Sequence, residues 1–135
     1  MFHWFNLVHS NLRESAKRGN FWAQLATGEA PRSGKWATVE KEHLAVQPTC
    51  MACGGTKHLQ VHHIKPFALH PEKELDPDNL ITLCMDVFEC HFRIGHGQNW
   101  HYFNPRVVSD AEDILAHPSL RKAREETIKD RKEPL

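Results

Sequence analysis

Apolar positions change period several times along this chain, and each change marks an element. Trp36, Val39, His43 and Leu44 recur at helical spacing with Glu40, Lys41 and Glu42 on the outer side, which predicts a helix from about Trp36 to Ala45. Gln47-Pro48-Thr49 ends it. Leu59, Val61 and His63 then alternate with Gln60, His62 and Ile64, the period of a strand, and Pro66 stops the run. A loop over 67–79 follows, in which Asp76-Pro77-Asp78-Asn79 has turn chemistry. Leu80 to Cys84 reads as a second strand, and Cys90 to His96 as a short helix that Gly95 weakens or ends. Beyond Asn104-Pro105, Asp110 to His117 and Ser119 to Lys132 read as two helices, the second strongly charged. Upstream, Phe2, Trp4, Phe5, Leu7 and Val8 form a short apolar stretch, and Gly28 to Gly34 reads as a linker.

A chain of 135 residues suits one domain with extensions rather than two independent cores. The division expected is an arm and linker over 1–34, a domain over 35–105 and a helical extension over 106–135, in an α+β fold. Hydrophobic content of 40% beside 25% charged residues fits a globular chain. The apolar start is short, polar-interrupted and without a basic leader, so neither a secretory signal nor a membrane span is expected. A reducing, cytoplasmic setting follows as an expectation.

Net charge is zero, which argues against a protein whose main purpose is to coat nucleic acid. The distribution is uneven. Residues 1–60 carry seven Lys/Arg against four Asp/Glu, residues 61–105 three against six, and the remainder seven against seven. An acidic middle segment suits phosphate binding only when a divalent cation supplies the missing positive charge.

Four cysteines sit at Cys50-x2-Cys53 and at Cys84 and Cys90. A Cys-x2-Cys pair followed by a second pair is a zinc-knuckle pattern rather than a disulfide pattern, and Gly54-Gly55 suits the tight turn such a knuckle makes. Between the pairs lies Val61-His62-His63-Ile64. An imidazole with an ordinary pKa of about 6.5 can take a proton from water at neutral pH. One divalent ion can neutralise a pentacovalent phosphate and its departing oxygen. Adjacent residues on a strand point to opposite sides, so His62 and His63 should divide these tasks, one holding metal while the other activates water. His91, fixed directly after Cys90, is the natural further ligand.

Cys-x2-Cys, His-His-Ile, Asn-Leu-x-x-Leu-Cys and Cys-His, in this order, resemble an HNH endonuclease of the small phage and bacterial type, with the ββα-metal (His-Me finger) fold. The likeness covers about Lys35 to Pro105. It implies that His63 is the general base and His62 a metal ligand. Asn79 would pin the loop between the strands and help orient His63, and in some members this residue also touches metal. His91 would be the final histidine and a ligand, and Cys50, Cys53, Cys84 and Cys90 would hold a structural zinc. Two departures stand out. Five residues, Met85 to Glu89, separate the second cysteine pair where the family usually has two. His96 lies five residues after His91, whereas ligands on one helical face sit three or four apart, so it joins the site only if Gly95 breaks the helix.

The resemblance implies a hydrolase of DNA phosphodiester bonds. It would use Mg2+, Mn2+ or another divalent transition metal beside the zinc. Groove-reading elements are not evident, so weak sequence preference is expected, and no membrane association. A dimer or a partner protein would be reached through the aromatic arm. The alternative from another class is a zinc-stabilised module that binds nucleic acid or protein without catalysis. Trp100, Tyr102 and Phe103 either stack on an opened base or cover the far side of the domain, and Lys65, Arg93 and Arg106 flank the site in sequence. His43 belongs to the apolar stripe of its helix.

Overall fold

The computed structural model divides into two compact units, Met1–Gly34 and Lys35–Leu135. Residues 32–135 are described here; the apolar stretch over residues 2–8 and most of the linker lie outside them. The second unit is α+β, and its centre is a two-stranded antiparallel hairpin, β1 (Leu59–His63) against β2 (Leu80–Cys84), in register Leu59 to Cys84 through His63 to Leu80. Helix α1 (Trp36–Val46) precedes it, and a π-helical turn, His91–Gly95, follows it. Then come β3 (Tyr102–Phe103), α2 (Val107–Ala116), α3 (Arg121–Arg131) and β4 (Glu133–Pro134), with β4 antiparallel to β3. No helix among the described residues is long and apolar enough to cross a membrane.

The hairpin is covered on both faces, and β2 is buried along its whole length. Alternation along β1 puts Gln60 and His62 on the face of the π-turn, where Gln60 bonds His91, and puts His63 on the face of α1, against the Trp36 ring. The outer edge of β2 is spent on docking. Thr82 sits opposite Val61, and its N–H donates to Gln47 Oε1 at 2.7 Å, while its carbonyl accepts from Met51 N at 3.0 Å. Its hydroxyl reaches Gln47 O at 2.8 Å. One fully buried threonine thus ties both the end of α1 and the first cysteine knuckle to the sheet edge, which leaves no open ladder at that point.

The core is built around thiols. Cys50, Cys84 and Cys90 are buried together with Ala52, Ile81, Leu83 and Ile94, and the two C-terminal helices close over them through Val107, Ala111, Ile114 and Ile128. The helical segment beyond 105 is therefore continuous with the core of the cysteine and histidine region. Its first helix starts three residues earlier than Asp110, because Val107, Ala111 and Ile114 complete an i, i+4, i+7 stripe facing inward. Its second helix starts at Arg121 after a single 3-10 turn over Pro118–Leu120, and commits only Ile128 fully to the core.

A core this small depends on each large side chain. Ile128→Ala should lower unfolding stability by about 2–5 kcal/mol. Urea denaturation measures this directly, and a loss under 1 kcal/mol would show that α3 does not seal the core.

Candidate active site and metal centre

Two clusters of potential ligands meet at the peptide bond between Cys90 and His91. In the first, the Sγ atoms of Cys50, Cys53, Cys84 and Cys90 all lie within 4.8 Å of one another, with Cys53 and Cys84 at 3.6 Å. Tetrahedral zinc–thiolate bonds of about 2.3 Å imply roughly 3.8 Å between sulfurs, so the quartet fits zinc as it stands. The knuckle over Cys50–Gly55 supports this. Gly54 N donates to Cys50 O at 2.8 Å and Cys50 N to Gly55 O at 2.8 Å, folding the loop so that backbone amides face sulfur. A hydrogen bond from Cys90 and several amides pull the Cys50 thiol well below its ordinary range against the effect of burial. The donor role and burial push Cys90 up. Burial pushes Cys53 up to about 11. The pocket thus favours the thiolate at Cys50 and holds Cys53 and Cys90 as thiols until a soft cation binds and displaces their protons.

The longer second pair also closes. Arg121 of α3 donates to Phe88 O at 3.0 Å and to Cys90 Sγ at 3.2 Å, and its guanidinium lies 4.7 Å from the centroid of the Phe88 ring. The extra residues between Cys84 and Cys90 are held by a side chain from outside the motif.

The second cluster is His62, His91 and His96, whose ligand nitrogens also lie within 4.8 Å of one another. The expectation that His96 joins only through a break at Gly95 is corrected by the local geometry. The turn is π-helical, and i to i+5 bonding brings residues five apart onto one face. The ring centroids of His91 and His96 are 5.0 Å apart, and those of His62 and His96 4.9 Å. Gly95 has a different use. A Cβ there would come within 3.2 Å of His62 Cε1 and Nδ1, so hydrogen at this position lets the turn lie directly on the imidazole.

Each ring is oriented by a neighbour. His91 Nδ1 bonds Gln60 Oε1 at 2.7 Å, and His96 Nδ1 donates to the Tyr102 carbonyl at 2.7 Å. Both leave Nε2 as the nitrogen that could bind an ion, the usual arrangement for a metal-binding imidazole. His62 Nε2 is buried and has no hydrogen-bond partner among the described residues, which is a costly state for a polar atom unless a cation completes it. Burial first, and the neighbouring imidazoles second, hold His62 well below 6.5. Burial likewise brings His91 down to about 4 and lowers His96, against the pull of its bond to Tyr102. All three rings are neutral near pH 7, the form that binds metal. The residues present therefore fit both a thiolate-bound zinc and an imidazole-bound divalent ion.

His63 occupies the other face of β1. Its Nε2 donates to the Glu74 carbonyl at 2.9 Å, which leaves the lone pair on Nδ1. Asn79 is buried beside it and its side chain is committed to backbone. Oδ1 accepts from Lys65 N at 2.7 Å, and Nδ2 donates to Lys65 O at 3.1 Å and Lys73 O at 3.2 Å. Lys73 precedes the residue whose carbonyl orients His63, so Asn79 acts on His63 through this loop.

Four orienting groups were not singled out from sequence. Gln60 shares the His62 face by simple alternation, which the sequence carries. The carbonyls of Glu74 and Tyr102 have no side-chain signal, and Arg121 is one of many charges in a strongly charged helix. Trp100 lies against His91 and His96, with centroids at 5.3 and 4.8 Å, rather than on the far side of the domain. Phe103 is buried and Tyr102 packs under Lys132. Arg93 pairs with Glu89 at 3.9 Å.

Residues 50–97, which carry both clusters, match the family model described as HNH endonuclease. This segment is an HNH domain, the nuclease-type module with a ββα-metal core. Comparison with curated proteins and with solved structures gave no match.

The lowered imidazoles carry a pH consequence for the metal-free histidine cluster. His91 moves from 6.5 in the unfolded chain to about 4 in the fold. Between these values the unfolded state takes up a proton that the native state refuses, so stability falls as pH falls through this window and is fully present above 6.5. Melting temperatures of chelated protein should drop steadily from pH 7 to pH 4.5, whereas His91→Asn should flatten the slope. An unchanged slope in that variant would contradict the assignment.

Proposed function

We propose that this domain is a metal-dependent endonuclease that hydrolyses phosphodiester bonds in DNA. His63 is the general base, and His62, His91 and His96 hold the divalent ion. The observation that carries this reading is the buried, unpartnered Nε2 of His62. It lies among two further imidazoles already oriented by their other nitrogens, one residue from a histidine of fixed tautomer.

When bound, the ion supplies positive charge to the phosphate and its departing 3′ oxygen. Every other task falls to the chain. Glu74 O holds the His63 ring through Nε2, and Nδ1 takes the proton from the attacking water. Asn79 is a positioning residue, keeping the loop through Lys73 and Glu74 in register with β1. Gln60 and the Tyr102 carbonyl keep His91 and His96 in the tautomer that offers Nε2. The thiol quartet, loaded with zinc, anchors the start of the π-turn at Cys90. A set of three imidazoles without a carboxylate favours transition ions such as Mn2+, Ni2+ or Co2+ over Mg2+.

Nicking of supercoiled plasmid tests the proposal. His63→Ala should cut about 10^2- to 10^4-fold more slowly than wild type at unchanged metal content, and chelator should abolish both activities. Equal cutting by the two proteins would remove His63 from the reaction. Cleavage of structured RNA in preference to plasmid would reassign the substrate. Absence of cleavage with every divalent ion would leave a zinc-stabilised binding module.

A further inference from the structure

We propose that Asn104, clamped by Asp110 and Arg131, is a positioning residue for His96, and decides whether the metal centre has three imidazoles or two. This rests on the reading of His62, His91 and His96 as ligands. A π-turn ends with carbonyls that no regular helix continues to satisfy, and two of these are taken by Asn104. Its side-chain Nδ2 donates to Ile94 O at 3.0 Å and its backbone N donates to Gly95 O at 2.9 Å. Asn104 is fully buried and its side chain is engaged further. Nδ2 also donates to Asp110 Oδ2 at 2.8 Å, and Oδ1 accepts from Arg106 N at 2.9 Å.

Asp110 is an acidic group only 2% exposed, a position that requires compensating partners. Arg131 at the end of α3 bonds its Oδ2, and Arg124 of the same helix lies 3.9 Å from Oδ1. Two residues past Arg131, β4 begins and pairs Tyr102 with Pro134 and Phe103 with Glu133. The Tyr102 carbonyl is the group that accepts from His96 Nδ1. At Gly97 the approach is so close that a Cβ would lie 2.9 Å from Lys132 Cδ. The turn that carries His96, the carbonyl that orients it and the loop that follows it are thus all fastened to the end of α3.

The other two ligands are held differently. His62 belongs to β1, and His91 is fixed by Gln60 of β1 and by its bond to Cys90. Loosening the clamp should therefore release His96 alone. A purely structural role would lower stability without distinguishing between the histidines.

Titration of Co2+ into full-length, zinc-loaded protein, followed by calorimetry and by the visible absorption of bound cobalt, makes that distinction. Asn104→Ala should weaken Co2+ binding about 10- to 100-fold and change the spectrum as His96→Ala does. The double variant should bind no more weakly than His96→Ala by itself. Asp110→Asn preserves shape while removing the charge that holds Arg131, and should show the same pattern to a smaller degree. It carries the test if Asn104→Ala loses its zinc. Wild-type affinity in a folded Asn104 or Asp110 variant, or full additivity with His96→Ala, would overturn the proposal. Wild-type binding that does not depend on His96 would overturn both the ligand assignment and this inference.

Discussion

The wide turn between Cys90 and His96 is the constraint on which the remaining geometry depends. It begins at a thiol of one cluster, carries an imidazole of the other as its next residue, and ends beside a second. An ordinary helix would turn residue i+5 away from residue i, and the site would then hold two imidazoles on a mobile short segment. The π geometry brings both imidazoles toward His62 and uses Gly95 as the contact surface against that ring. π-turns are poorly bonded along their own backbone, so this one needs help from outside. The hairpin covers one side of it, and the two C-terminal helices reach it from another.

The core follows the same logic. Three of the four thiols are buried, together with apolar residues from the hairpin and both C-terminal helices, so the interior of the domain is also the wall of its sulfur site. A domain of this size buries a limited apolar area, and a metal held by the four thiols would compensate for that shortfall. The arrangement also explains how an unusually long second knuckle closes. Arg121 binds the carbonyl of Phe88, stacks on its ring and touches Cys90 Sγ, so the loop is tethered by α3 rather than by its own brevity.

Much of the hairpin and of the site could be read from residue order. Alternation along Leu59–His63 separated His62 from His63 onto opposite faces, which is how the strand lies. The paired cysteine spacing gathered the four thiols correctly. What escaped depended on tertiary context. His96 was legible as a chemical type, but its entry into the cluster required a turn that helical spacing rules do not contain. Asn104-Pro105 looked like a simple break between elements, yet the asparagine is a fully buried junction between π-turn and helices. The start of α2 lies three residues before Asp110, where the inward stripe begins at Val107 ahead of the acidic run. Backbone carbonyls such as those of Glu74 and Tyr102 leave no trace in the alphabet of side chains, and they are what fix the tautomers.

The central claim is that sulfur and imidazole clusters form two separate ion sites joined at one peptide bond. Crystals of zinc-loaded protein soaked in Mn2+ or Ni2+, with anomalous maps collected at the absorption edge of each metal, address it directly. The account predicts zinc density among Cys50, Cys53, Cys84 and Cys90, and density of the second metal bound to His62, His91 and His96. A second ion found elsewhere, or a histidine cluster that stays without one at saturating metal, would contradict it.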